Sequence, residues 1–168
     1  GIEPTDGIFY PGIVQMNYMT GELIKSYGNA PKMIIAMFDM GGSINTVEFH
    51  SEYHGHEDSP KELLEAIDKL DVDFSPRQIA HVATLSALAN QKLVPKPHLE
   101  EIIKYSATLG ALGVNVAHSG TMVGVLFAPD ESMKHVMEAV EKIREKFPEL
   151  EYFETERLIS GGYDIEQR

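Results

Sequence analysis

With 168 residues, the chain is long enough for one hydrophobic core and short for two. Its 26 Asp and Glu outnumber its 14 Lys and Arg, and the formal charge of -12 would repel nucleic acids and anionic membranes, so we expect neither as a partner. The absence of cysteine excludes disulfides, thiolate zinc sites and cysteine nucleophiles, which fits a cytoplasmic location.

The amino-terminal part of the chain has the pattern of a β-hairpin. Apolar and polar residues alternate loosely between Ile8 and Tyr27, and Thr20-Gly21 stands where a tight turn would reverse the chain. A hairpin of this size has too few apolar side chains to form its own core. After a break at Gly28-Asn-Ala-Pro31, the apolar run from Met33 to Phe38 predicts a strand that is buried on both faces.

Four helices are predicted by their start signals and apolar spacing. Ser59-Pro60 with Glu62 has the form of a capping box, and Ser75-Pro76 repeats the start signal. The inward face of this second helix combines small residues with His81, which suits close packing against another helix. Two further helices and three strands complete the chain: a helix from Leu99 to Gly110, a helix from Met133 to Phe147, and strands at 114–117, 123–127 and 149–159.

The order strand, helices, two strands, helix, strand predicts an α+β fold. This is the order of a ferredoxin-like sandwich, in which a mostly antiparallel sheet carries helices on one face. The amino-terminal β-hairpin is additional to that plan. We therefore expect it to pair with a sheet formed by residues that precede Gly1.

The glycine-bearing stretch from Gly110 to Gly124 is the strongest candidate for chemistry. Small residues between two strands leave room for a bound group and let backbone N–H groups point at an anion. The stretch has neither the G-x-G-x-x-G nor the P-loop spacing, so a β-hairpin without a ligand explains the glycines equally well. From spacing alone, a phosphate cradle and a plain hairpin both remain open.

Five segments together carry a resemblance to a known family: Ala117-His-Ser-Gly-Thr121, Ala83-Thr-Leu-Ser-Ala87, Asn90-Gln91, Pro95-Lys-Pro97 and Glu3-Pro-Thr-Asp-Gly7. They resemble the carboxy-terminal half of the GHMP kinase superfamily, and within it the L-threonine kinases of cobalamin synthesis and propanediol utilisation. The first segment is similar to the superfamily's third, glycine-rich motif, with its glycines thinned to Gly120 and Gly124.

The resemblance implies an ATP-dependent kinase, with Mg²⁺ as a second cofactor, that phosphorylates the hydroxyl group of a small amino acid, L-threonine being the expected substrate. It implies that ATP contacts His118, Ser119, Gly120 and Thr121. It also implies that residues 1–31 are an inter-domain hairpin left from an amino-terminal kinase domain, and that residues 32–168 form the carboxy-terminal domain.

The family's first motif, a Pro-x-x-x-Gly-Leu-Gly-Ser-Ser loop that holds the ATP phosphates, has no match in this sequence. Phosphoryl transfer depends mainly on positioning and on stabilisation of charge. We therefore expect the 168-residue chain alone to lack appreciable kinase activity, with the missing amino-terminal domain as its partner.

Two further sets of residues match the family. Asp6 stands where several relatives have an acidic residue that accepts or orients the substrate hydroxyl proton. A carboxylate with a pKa of about 4 is a weak base for an alcohol, so catalysis, positioning and a turn-stabilising role remain open. Asp39, Gly41, Gly42 and Thr46 match a wall of the amino-acid pocket, and a strand-ending turn explains the same residues.

A group of histidines invites a metal hypothesis, because His50, His54 and His56 are followed by Glu57 and Asp58. Imidazole and carboxylate groups are competent ligands, but this spacing matches no standard site. We therefore expect a solvated loop and no metal.

Two accounts compete with the kinase. One is a ferredoxin-like regulatory module that binds an amino acid without catalysis, and the other is a structural domain that forms a homodimer through an exposed sheet edge. A regulatory module has no need of the Ala117–Thr121 loop, of Asp6 or of the extra hairpin, whereas half of a kinase uses all three. The sequence therefore favours the kinase.

Overall fold

The computed structural model describes residues 10–16, 22–42, 60–70, 74–92, 94–117 and 120–161. These residues contain six strands and four helices. In chain order the elements are β1 (Ile13–Met16), β2 (Leu23–Gly28), β3 (Ile34–Asp39), α1 (Lys61–Asp68), α2 (Pro76–Asn90), α3 (Leu99–Thr108), β4 (Gly113–Val116), β5 (Met122–Phe127), α4 (Met133–Lys146) and β6 (Glu151–Arg157).

Four of the strands form one antiparallel sheet, with the spatial order β4-β5-β3-β6. In the central strand β3, Ile34 pairs with Phe127 of β5 on one side and with Arg157 of β6 on the other. The register between β3 and β6 shifts after Met37, so that Phe153 of β6 has no partner in the ladder. Strands β1 and β2 form a separate antiparallel pair.

The main core lies between one face of the four-stranded sheet and helices α3 and α4. Alternate residues of β3, namely Ile34, Ala36 and Phe38, are fully buried there. The intervening residues Ile35 and Met37 are half-exposed. The expectation that β3 is buried on both faces was therefore wrong, because its second face is only partly covered.

Helix α2 lies against the β4 edge of the sheet. The hydroxyl of Thr84 accepts a hydrogen bond from the N–H of Val114 at 2.9 Å. A Cβ added to Gly113 would collide with the carbonyl oxygen of Ala80, so only glycine permits this approach. Helix α2 thus packs on strand β4 and also contacts α1 and α3, and His81, which the sequence placed on the inward face, is exposed.

Local signals set the helix ends. Helix α2 begins with a complete capping box, in which Ser75 and Gln78 satisfy each other's backbone N–H groups. Ser132 caps α4, and Gly110 follows α3 in the left-handed conformation, with φ 90°. Helix α1 begins one residue later than expected, with Pro60 at its N-cap, while Ser59 lies outside the described residues.

The β1–β2 hairpin is attached to the rest of the chain through a small cluster. Tyr27 of β2 packs against Leu70 and Phe74, which belong to the segment that connects α1 to α2. All the remaining residues of β2 are exposed to solvent, and two of them, Leu23 and Ile24, are large and apolar. Strand β2 is therefore attached to the cluster through Tyr27 and is otherwise exposed on both faces.

The predicted α+β class with an additional amino-terminal hairpin is confirmed. The finer description as a ferredoxin-like sandwich stays a prediction, as do the domain limits at residues 31 and 32. Within the described part of the chain, no helix combines the length and the apolar character that crossing a bilayer requires.

Candidate functional site

The end of β3 carries a tight turn at the rim of the sheet. The carboxylate of Asp39 accepts a hydrogen bond from the N–H of Gly41 at 2.9 Å. Gly41 and Gly42 both have positive φ angles, of 71° and 86°, which other L residues rarely adopt. A strand-ending turn is thus present at these residues, and both glycines are exposed to solvent.

The same turn meets the start of β5. The N–H of Met40 donates to the carbonyl of Thr121 at 3.1 Å, and Asp39 pairs with Met122 in the sheet. Hydrogen bonding by the Thr121 side chain, together with the Gly41 N–H, holds the pKa of Asp39 below its ordinary value of 3.8. Two sets of residues predicted separately, one for substrate and one for phosphate, are therefore in direct contact.

This junction is open to solvent on its outer side. Asp39, Gly120 and Thr121 are half-exposed, so these three residues are not enclosed within the core. Strand β6 adds a second carboxylate, because Glu151 is the cross-strand neighbour of Asp39. The surface is therefore negatively charged at the point where a phosphate was expected, and a bound anion there needs a compensating cation.

The two glycines of the third motif have different surroundings. A Cβ on Gly120 would lie 3.1 Å from the Cβ of Ala117, which is tight but needs only a small shift of that side chain. A Cβ on Gly124 would collide with the side chains of Asn115 and Ile35. Gly124 is therefore explained by packing inside the sheet and needs no ligand.

Other predicted residues cannot be placed. Asp6, Thr46, His118 and Ser119 lie outside the described residues, and so do His50, His54, His56, Glu57 and Asp58. In the part of the chain that is described, no three His, Asp or Glu side chains come together as a metal site. The roles proposed for these residues, and for Asp39, Gly41, Gly42, Gly120 and Thr121, stay predictions.

Residues 63–146 match the family model described as GHMP kinases C terminal, which is half of the chain. The chain belongs to the GHMP kinases. The resemblance stated from the sequence is therefore confirmed. The matched range, called the GHMP domain below, includes the described elements α2, α3, β4, β5 and α4. It contains Gly120 and Thr121 but not Asp39.

Individual relatives of this GHMP domain extend the comparison. An L-threonine kinase from Citrobacter freundii is 23% identical over 176 residues, an alignment that covers 98% of this chain and 59% of that protein. The crystal structure of L. major mevalonate kinase in complex with R-mevalonate has a TM-score of 0.65 at 16% identity, covering 92% of this chain and 51% of that one. Homoserine kinase from Cytophaga hutchinsonii has a TM-score of 0.53 at 15% identity, covering 91% and 49%. These two structures show a shared fold, and the chain spans between about half and three fifths of the length of these relatives.

Sequence reasoning missed one residue of this GHMP domain, Lys96. Its side chain is only 4% exposed, and its Nζ has no hydrogen-bond partner. The signal was present in Pro95-Lys-Pro97, a lysine fixed between two prolines, but burial of a lysine cannot be read from so short a segment.

A cavity of about 370 Å³ lies at the opposite end of the sheet from Asp39. It is lined by residues of α2, α3 and the start of β4, among them Arg77, His81, Ile103 and Gly113. None of the predicted site residues lines it. The candidate site is consequently an open surface at the Asp39 end.

Proposed function

We propose that this chain is the substrate-side part of an ATP-dependent kinase that transfers a phosphoryl group to the hydroxyl of a small amino acid, with L-threonine as the first candidate substrate. The observation that carries the proposal is the match of 98% of the chain to a protein named L-threonine kinase. The family match supports kinase chemistry, and the higher sequence identity, 23% against 16% and 15%, favours this branch over the mevalonate and homoserine kinases.

The Asp39–Thr121 junction supports the assignment of this surface as the reacting side. It brings the end of β3 and the third glycine-rich motif within hydrogen-bond distance of each other. A kinase must hold a phosphate and an amino acid side by side, because its rate depends chiefly on positioning the two reactants. A half-exposed surface is suitable if the opposite wall is supplied by another domain.

The charge of this surface bears on the cofactors. ATP supplies the phosphoryl group, and Mg²⁺ neutralises part of the phosphate charge. Asp39 and Glu151 are neighbours at this end of the sheet, so a metal-bound phosphate fits the surface better than a free phosphate. Gly120 and Thr121 would then contact the phosphates, and Asp39, Gly41 and Gly42 would face the amino acid.

The experiment compares two proteins: the 168-residue chain, and the product of the full reading frame that contains it, called the extended protein. ADP release is measured with L-threonine, L-homoserine and mevalonate as acceptors. We expect the extended protein to phosphorylate L-threonine with the highest kcat/KM and the 168-residue chain to show no turnover. Appreciable ATP turnover by the chain alone would contradict its expected inactivity, and an extended protein inactive on all hydroxylated acids would contradict the kinase.

Asp6 is tested in the extended protein. If Asp6 acts as a base, Asp6→Asn lowers kcat on L-threonine by roughly 100-fold or more, the usual contribution of general base catalysis. Positioning alone would raise KM more than it lowers kcat. Unchanged turnover in Asp6→Asn eliminates the catalytic role.

A further inference from the structure

Lys96 is buried without a partner for its charge. Its side chain is 4% exposed, and within the described residues its Nζ is the buried side-chain nitrogen or oxygen atom that has no hydrogen-bond partner. No carboxylate of the described chain lies within ion-pair distance of it. An isolated ammonium group removed from water is costly, and its burial lowers the pKa of Lys96 below the ordinary value of 10.5.

The backbone holds this residue firmly in place. The side-chain amide of Gln91 makes two hydrogen bonds to Lys96, accepting from its N–H at 2.6 Å and donating to its carbonyl at 2.9 Å. Pro95 and Pro97 restrict the chain on both sides. The loop between α2 and α3 is therefore built around Lys96, although a methionine would fill the same space without the cost of a buried charge.

The loop lies at the same end of the sheet as Asp39 and Thr121. Just beyond Lys96, the ring of His98 is 3.9 Å from the carboxylate of Glu149 and 6.3 Å, between centroids, from the ring of Phe147. Glu149 lies two residues before the start of β6, whose first residue Glu151 pairs with Asp39. The unpartnered ammonium and the candidate site thus share one end of the fold, opposite to the 370 Å³ cavity.

We infer that Lys96 is an anion-binding residue, whose ammonium group receives a carboxylate or phosphate of the small molecule bound at the Asp39 end of the sheet. Such an anion removes the cost of the buried charge, and the Lys96 ammonium in turn offsets the repulsion that the anion meets from the carboxylates of Asp39 and Glu151. Anion binding stands on the geometry of Lys96 alone. The identity of the anion rests on the proposed function.

The test measures binding to the 168-residue chain by calorimetry and by the shift of the melting temperature. Three probes separate the sources of the anion: inorganic phosphate, L-threonine, and L-threoninamide, which lacks the carboxylate. We expect phosphate or L-threonine to bind wild type and L-threoninamide not to bind. Binding to Lys96→Met should be at least tenfold weaker.

The matched control is Lys104→Met, which removes an exposed lysine from α3 that pairs only with Glu100 of the same helix. This variant should bind the probes as wild type does. Equal binding by Lys96→Met and wild type, or no anion binding by wild type, overturns the inference. Neither result depends on ATP turnover, so failure here is distinct from failure of the proposed kinase.

A second measurement requires no variant. In wild type, an NMR titration of the Lys96 side chain follows its protonation with and without phosphate or L-threonine. A bound anion stabilises the charged form, so the pKa of Lys96 should rise when the anion is present. An unchanged pKa under saturating anion contradicts the inference, even if Lys96→Met fails to fold.

Discussion

The carboxylate of Asp39 occupies nearby hydrogen-bond donors, which are therefore not available to a ligand. The Gly41 N–H donates to it, and hydrogen bonding by the Thr121 side chain lowers its pKa further. A phosphate or amino acid that binds here must therefore use other backbone donors of the two turns or displace this carboxylate. The hydrogen bonds also make the stability of the junction depend on pH.

Asp39→Asn should flatten the loss of stability in acid. The pKa of Asp39 is lowered in the folded state, so its contribution is present above 3.8, the ordinary value, and is lost as the pH falls through the lower folded value. The side-chain oxygen of asparagine can accept the same hydrogen bond from the Gly41 N–H, but asparagine does not titrate. We expect urea unfolding to show a smaller decline below pH 3.8 for the variant than for wild type.

The matched control is Asp130→Asn, in the exposed turn before α4, which leaves the Asp39 hydrogen bonds intact. This control should retain the wild-type decline. Identical acid profiles for wild type and Asp39→Asn would show that the hydrogen bonds of Asp39 do not stabilise the fold.

Thr84→Val should destabilise the chain by about 1–3 kcal/mol, because it leaves the buried N–H of Val114 without its acceptor. Valine has nearly the shape of threonine, so packing changes little. The control is Thr108→Val, whose exposed hydroxyl donates only to the Tyr105 carbonyl of its own helix. Chemical denaturation that gives equal free energies of unfolding for both variants contradicts the role assigned to Thr84.

Among the elements, α2 has the largest structural task. It covers the β4 edge of the sheet, which would otherwise expose unpaired backbone groups, and it contributes Ala87 to the main core and Ala80 to a second cluster with Met33 and Leu126. Its small side chains allow this close approach. The fixed start of the helix sets which of its residues reach β4.

Ser75→Ala should lower the free energy of unfolding by about 1 kcal/mol, because it removes the capping box and leaves the N–H of Gln78 with only the Ser75 carbonyl as acceptor. Thermal or urea unfolding measures the change. Ser26→Ala, at an exposed position of β2, is the control and should stay within about 0.5 kcal/mol of wild type. A capping variant as stable as the control would mean that packing alone holds the start of α2.

For the molecule as a whole, one edge of the described sheet remains open. Helix α2 occupies the β4 edge, so the predicted homodimer has β6 as its available edge. Strand β6 carries Glu151, Glu154 and Glu156, with Phe153 exposed at the register shift. Acidic side chains protect such an edge by repulsion, and salt weakens that repulsion.

Sedimentation at several protein concentrations should therefore show self-association that increases with ionic strength, if β6 mediates it. Phe153→Asp should remove the association, because it adds a charge to the exposed apolar position of the edge. Leu64→Asp, at an exposed position of α1, is the control and should leave it unchanged. A chain that is monomeric at every salt concentration contradicts the dimer.

The sequence by itself determined the elements, the α+β class and the family. Capping boxes, glycine stops and apolar spacing act within one or two helical turns, so the ends of α2 and α4 are readable from neighbouring residues. The motif around Gly120 is likewise local. Where a local signal was misread, as at Pro60, the error was one residue.

Only the tertiary structure decided which residues meet. Asp39 lies beside Thr121 because β3 and β5 are neighbours in the sheet. The Thr84 hydroxyl accepts a hydrogen bond from the Val114 N–H because α2 lies along the β4 edge. The half-exposed second face of β3 and the buried ammonium of Lys96 depend in the same way on what packs above them. Burial and contact are properties of distant segments brought together, and a local pattern of residue types carries no information about that distance.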